Sequence, residues 1–193
     1  VHRFPLEAYA AGSTRNYQAW WGIKSLPKFN TANPRVREFI FGVARHWIER
    51  GADGWRLDVP NEIDDDSFWA EFRATVKQVN SEALLIGEIW EVQPRWLGDG
   101  HFDSLMNYPF RTTILEFLQW GKTGAQTAEA LGRVLSAYPQ ENLFALYNLL
   151  GSHDTERIKT MLADKPDALK LAYLLQFALT GAPAVYYGDE VGL

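Results

Sequence analysis

Five short apolar runs, centred near residues 56, 86, 105, 148 and 185, alternate along the chain with segments of helical periodicity. Alternation of this kind favours right-handed βα units on a parallel sheet. The first helix carries the clearest signals. Asn33 stands as N-cap, Pro34 as first helical residue, and Val36, Phe39, Ile40, Val43, Trp47 and Ile48 form an apolar stripe that ends before Gly51. A second helix is expected after Asp64, Asp65 and Asp66, whose charges suit a positive dipole end, with Phe68, Trp69, Phe72, Val76 and Val79 on one face. Strands are expected at 54–58, 84–88, 104–107, 144–150 and 184–187, and further helices near 109–120, 127–137 and 167–180. Residues 1–33 offer no clear strand. The mean step is about 32 residues, so eight units would need about 260, near the roughly 250 of a (β/α)8 barrel. Five units therefore suit the later part of such a barrel or a complete open α/β sheet, and spacing alone does not choose.

Composition narrows the classes. The chain has 193 residues, 47% hydrophobic and 22% charged, which is a globular balance. Its net charge is −5 and its basic residues do not cluster, which argues against a nucleic-acid partner. Without cysteine there is no disulfide, zinc–thiolate site or thiol chemistry, and a cytoplasmic home is expected. No apolar stretch approaches the roughly 18 residues of a membrane span. Neither a G-x-G-x-x-G phosphate loop nor a G-x-S-x-G elbow is present.

Three acids follow predicted strands: Asp58 in GWRLD (54–58), Glu88 in LLIGEIW (84–90) and Asp154 in GSHDTE (151–156). In a barrel such positions face the site. Neighbouring parallel strands lie roughly 4.8 Å apart, so Asp58 and Glu88 can approach the roughly 5–5.5 Å of a retaining glycosidase pair. Arg56 shares a strand face with Asp58 and is expected to keep it ionised, as a nucleophile requires. Glu88 shows no basic neighbour in sequence, only Ile86, Ile89 and Trp90, a setting that holds a proton for a general acid. Plainer readings stand beside these. Asp58 and Arg56 can be an ion pair at a strand end, Glu88 a surface acid, and Asp154 or Thr155 a helix cap. No second histidine lies at metal-ligand spacing from His153. Trp20, Trp21 and Trp90 are candidates either for core packing or for stacking on sugar faces.

Taken together, GWRLD (54–58), GEIW (87–90), SHD (152–154) and the pattern Gly181, Pro183, Tyr186, Tyr187, Gly188, Asp189, Glu190, Gly192 resemble the successive motifs of the alpha-amylase family of glycoside hydrolases. LPKFN (26–30) and VPNE (59–62) are similar to segments of its neopullulanase and cyclomaltodextrinase members, with Pro60 where those carry alanine. The resemblance implies a partial (β/α)8 barrel, strands four to eight, over residues 34–193, with residues 1–33 ending an inserted loop domain. It implies retaining hydrolysis of α-glucosidic bonds in maltooligosaccharides, cyclodextrins or pullulan through a covalent glycosyl-enzyme. Asp58 would be nucleophile, Glu88 acid/base and Asp154 transition-state stabiliser. Arg56, counted with the substrate-binding residues, would orient Asp58, and His153 would hydrogen-bond the sugar in the cleavage subsite, while Glu62 and Trp90 would meet the acceptor-side sugars and Tyr108 would reach the cleft. The family's earliest motif, strands one to three, the last barrel helix and a C-terminal β-sandwich have no counterpart here. No intact metal site is expected, calcium being a feature of many full-length members. The expected partner is an α-glucan oligosaccharide, with no nucleic acid and no membrane, and a homodimer is the expectation for a full-length protein. An α-glucan transferase or isomerase would use the same acids, and a dead sugar-binding protein is the rival of another class. The isolated chain is expected to be inactive or to need a complementing fragment.

Overall fold

The structure is a computed structural model that describes residues 17–163 and 165–193. They form two compact units, one from residues up to Asp53 together with Asn61–Ala83, the other from Gly54–Pro60 and Leu84–Leu193.

In the first unit, helix α1 (Pro34–Glu49) starts as its sequence dictates: the Asn33 side chain accepts from the Arg35 N–H at 3.0 Å and Pro34 fills the first turn. Helix α2 (Asp66–Val79) is capped by Asp65, which accepts from the Phe68 N–H at 3.1 Å and pairs with Arg37. Phe41 of α1 packs on Phe68 and Phe72 of α2 at ring separations of 5.3 and 6.2 Å. Phe68, Trp69, Phe72 and Val76 are buried with Ala44 and Ile48, whereas Phe39 and Trp47 of the α1 stripe are exposed. Before α1 there is a 3-10 turn at Trp20–Gly22 and one isolated antiparallel bridge, Ala19 with Pro27.

In the second unit, β1 (Gly54–Leu57), β2 (Leu84–Gly87) and β3 (Ser104–Leu105) pair in parallel, in that order. So do β4 (Tyr147–Leu149) and β5 (Ala182–Ala184), and a single parallel bridge from Met106 to Tyr147 continues β3 into β4. Each strand therefore neighbours the next in sequence. An open doubly wound sheet reverses its order at a switch point, whereas a barrel does not. The parallel α/β arrangement is thus consistent with a partial barrel. At Gly54 a Cβ would fall 2.1 Å from the Leu84 carbonyl oxygen, so the approach of β1 to β2 requires glycine.

Helix α3 (Tyr108–Leu118) is capped by Asn107, and α4 (Gly124–Ala137) by a reciprocal capping box between Thr123 and Gln126. Short α5 (Ile158–Met161) and α6 (Pro166–Ala178) complete the unit. Phe110, Ile114, Leu115, Leu150, Ile158, Leu162 and Ala172 form one apolar cluster of its core, and Met106, Tyr108 and Leu149 another. A buried polar network crosses it. Asn148 accepts from Asn107 at 2.8 Å and donates to the Thr180 carbonyl at 3.0 Å, while Gln176 donates to the carbonyls of Asn148 and Ala184, both at 2.9 Å. These bonds tie the β3 end, β4, β5 and α6 together. Among the described residues no helix is long and apolar enough to cross a membrane.

Several expected boundaries move. The run 144–150 yields only Tyr147–Leu149 as strand, because Pro139 leads into a 3-10 turn at Gln140–Ala145 that Asn142 fixes by donating to the Asp103 carbonyl at 2.9 Å. Phe144 is left exposed. The last strand is Ala182–Ala184 rather than 184–187, since the Ala182 N–H already bonds the Leu146 carbonyl and the chain turns at Gly188, φ +82°. Neither Asp154 nor Thr155 caps a helix: α5 begins after Arg157, without a side-chain cap.

Candidate active site

The register of β1 on β2, Leu57 opposite Gly87, brings Asp58 and Glu88 side by side, and the Glu88 N–H bonds the Leu57 carbonyl at 2.9 Å. One guanidinium serves both acids: Arg56 Nη1 donates to Asp58 Oδ1 at 2.5 Å, and its Nη2 lies 2.9 Å from Glu88 Oε1. The expectation that Glu88 lacks a basic neighbour is therefore wrong. Adjacent strands supply one, which inspection along the chain could not reveal.

The two carboxylates still differ in setting. Glu88 is 3% exposed, while the Asp58 side chain is 75% exposed. Burial raises the Glu88 carboxyl above its usual range; the Val59 N–H and Arg56 oppose this, and the charges of Asp58 and Asp154 add to it. Val59 donates to Glu88 Oε2 at 3.0 Å from a backbone with φ +32°, unusual for a β-branched residue. The sequence places Val59 at the start of the VPNE segment but does not mark it for this role, because a backbone N–H is offered by almost any residue type.

After β4 the chain runs through Gly151 and Ser152 to His153 and Asp154, whose side chains meet at 3.1 Å. Ser152 Oγ accepts from the Asp154 N–H at 3.2 Å and meets the Tyr108 hydroxyl at 3.2 Å. The Thr155 hydroxyl accepts from the Ser152 N–H at 3.0 Å, which closes a tight turn. Tyr108 is buried, and Trp90, half exposed, stacks on it with 3.8 Å between ring centroids and a 9° tilt. Burial pushes the Tyr108 hydroxyl up, against the Ser152 hydrogen bond and with the charges of Glu88 and Asp154. A cleft of about 340 Å³ runs past Arg56, Ile86, Met106, Tyr147, Ser152, His153 and Tyr186, so side chains from around β1, β2, β4 and β5 share it.

Asp58, Glu88, Arg56, His153, Asp154, Trp90 and Tyr108 all lie in this unit. Glu62 belongs to the other, where Lys28 Nζ donates to its carbonyl at 2.7 Å and lies 3.8 Å from its carboxylate. Lys28 also sits 4.5 Å above the Trp20 ring. Among the described residues no group of three or more His, Asp or Glu is gathered so as to hold a metal ion.

Residues 3–193 match the model of the alpha amylase catalytic domain. The chain belongs to the alpha-amylase family. It is 45% identical over 183 residues to Neopullulanase 2 of Thermoactinomyces vulgaris, covering 94% of this chain and 31% of that protein. It is 40% identical over 204 residues to a cyclomaltodextrinase of Bacillus sp, covering 94% and 36%. The cyclic alpha-maltosyl-(1→6)-maltose hydrolase of Arthrobacter globiformis, solved with cyclic alpha-maltosyl-(1→6)-maltose, superposes with a TM-score of 0.93 at 42% identity, covering all of this chain and 44% of the other. This alpha-amylase family chain thus spans about a third of the length of the curated relatives it matches.

Proposed function

We propose that this chain is the later part of a (β/α)8 barrel, strands four to eight at residues 34–193 with residues 1–33 ending an inserted loop domain, and that it carries the catalytic acids of a retaining α-glucan hydrolase. The observation that carries the reading is the single Arg56 guanidinium bridging Asp58 and buried Glu88 at adjacent strand ends, with the Asp154 charge acting on the same carboxyl. Closely held acids with opposite exposure suit a double displacement.

In that reaction Asp58 attacks the anomeric carbon while Glu88 protonates the departing glycosidic oxygen, leaving a glycosyl ester on Asp58 and a free sugar hydroxyl. Glu88, now a carboxylate, takes a proton from water, whose oxygen displaces Asp58 and restores both acids. Asp154 faces the positive charge that develops on the ring. His153 and Arg56 line the cleft that would hold the cleaved sugar. Trp90, flat on Tyr108 and half exposed, offers a ring face to a sugar. The names of the relatives point to maltooligosaccharide, cyclodextrin or pullulan substrates. The full-length protein carrying this chain should hydrolyse γ-cyclodextrin or pullulan and release the α-anomer first, as read by NMR of the fresh product. Release of the β-anomer would overturn the retaining reading.

A further inference from the structure

Among the described residues only two acids are buried, Glu88 and Asp189, and the reaction uses the first alone. Asp189 opens a 3-10 turn, Asp189–Val191, just beyond β5, and its side chain is 1% exposed. One carboxylate oxygen accepts from Arg157 Nη1 at 2.9 Å, and the same nitrogen donates to the Tyr187 carbonyl. The Arg157 guanidinium lies over the rings of Tyr186 and Tyr187, at 4.6 and 4.7 Å. Among the described residues the other carboxylate oxygen meets no hydrogen-bond donor at bonding distance; it faces Gly151, where an added Cβ would lie 2.9 Å away, and Tyr173, whose hydroxyl is pushed up by burial and by the Asp189 charge.

Gly151 and Arg157 bracket the segment that carries Ser152, His153 and Asp154. Asp189 thus pairs with Arg157 at one end of that segment and packs close to Gly151 at the other, where a side chain would collide with it. A second tie runs parallel to it: Lys159 Nζ donates to the Gly192 carbonyl at 2.9 Å. An ion pair with a buried carboxylate, whose part-exposed guanidinium also meets a carbonyl and two ring faces, has few alternative geometries, so it constrains position more than a surface pair would.

We infer that Asp189 is a positioning residue, fixing through Arg157 and Gly151 the loop that presents His153 and Asp154 to the sugar. This rests on the hydrolase reading above. A small displacement of Asp154 should then cost turnover while leaving substrate binding nearly intact.

The test uses the full-length protein with p-nitrophenyl α-maltoside, in the variants Asp189→Asn, Asp154→Asn and the pair combined. Asp189→Asn should lower kcat roughly 10- to 100-fold, with KM within about threefold. In the Asp154→Asn background the same change should cost less than about twofold, because its effect passes through Asp154. Amide hydrogen exchange at 152–157 should quicken at least about tenfold, with β1 and β2 unchanged. A kcat within twofold of the parent, an equal loss in both backgrounds, or unchanged exchange at 152–157 each overturns the inference. If Asp189→Asn does not accumulate folded, Arg157→Lys is judged on the same readouts. A parent that fails to hydrolyse the maltoside overturns the hydrolase reading instead, and hydrogen exchange still decides the positioning role.

Discussion

The three acids of this chain are held in place by two different means. Asp58 and Glu88 stand one residue past the ends of paired strands, so the register of β1 on β2 places them, and Arg56 joins them from within the same sheet. Asp154 stands five residues past β4, in a turn closed by Ser152 and Thr155 and followed by Arg157, which pairs with the Asp189 side chain from beyond β5. Placement by register costs little sequence, since backbone hydrogen bonds do the aiming. Placement by a loop needs a separate set of side-chain contacts. The first pair should therefore fail abruptly when its chemistry is removed, whereas the third acid should be open to gradual loss through residues that never meet the sugar.

The largest effect is expected where chemistry alone is removed. Asp58→Asn in the full-length protein should lower kcat by roughly 10⁴-fold or more, the scale on which enzymes lose a covalent nucleophile. Its unfolding midpoint should change little, because the Asp58 side chain is mostly exposed. Near-parent turnover of γ-cyclodextrin would remove Asp58 from the mechanism.

Next comes Glu88→Gln, with a loss of roughly 10²–10⁴-fold on unactivated substrate. In the proposed reaction Glu88 must be protonated to act on the leaving oxygen, and burial raises its carboxyl. The parent should thus keep kcat/KM as pH rises past the ordinary range of a glutamic acid and lose it as pH passes the raised value. That alkaline limb should vanish in Glu88→Gln. A limb that persists unchanged would assign the acid role to another group.

These expectations show how unevenly the molecule can be read from its sequence. The cap at Asn33, the acidic start of α2, the strand ends carrying Asp58 and Glu88, and the segment holding His153 and Asp154 were legible, because each depends on residues close in sequence; which of Asp64, Asp65 and Asp66 caps α2 was not. Three features were not. The Arg56 contact with Glu88 crosses between strands, so it depends on register. The Arg157–Asp189 pair spans thirty-two positions and links a loop to a turn after the next strand. The split of 144–150 into a 3-10 turn and a short strand depends on Asn142 reaching Asp103, again a distant contact. Glu62 teaches a related lesson: adjacency to Asp58 in sequence did not keep it in the same compact unit.

A moderate effect should come from the backbone that supports both placements. At Gly181, φ +132°, a Cβ would lie 2.3 Å from the amide nitrogen of Asn148, the centre of the buried network joining β3, β4 and β5. Gly181→Ala should destabilise the protein by about 1–3 kcal/mol, from overpacking and an unfavourable φ. It should also quicken hydrogen exchange in β4 and β5 more than in β1 and β2. Equal loosening of all five strands, seen by exchange mass spectrometry, would mean that the two placements are not mechanically separate.

The smallest effect is one of pH on stability, and it bears directly on the contrast between Asp58 and Glu88. The Glu88 carboxyl is raised in the folded chain, so between its unfolded value and that raised value the folded state binds more protons than the unfolded state. Stability from this group is fully present below the unfolded value and is lost as pH rises through the folded one. A glutamine side chain cannot titrate, so the stability of Glu88→Gln relative to the parent should rise as pH is taken from the ordinary glutamic acid range to neutrality. Urea midpoints at those two ends, at fixed ionic strength, measure this. The opposite slope would mean that the Arg56 guanidinium and the Val59 N–H outweigh burial and that Glu88 rests as a carboxylate. The two acids would then be alike in charge despite their unlike exposure, and the division of labour between nucleophile and acid would have to come from the bound sugar rather than from the protein.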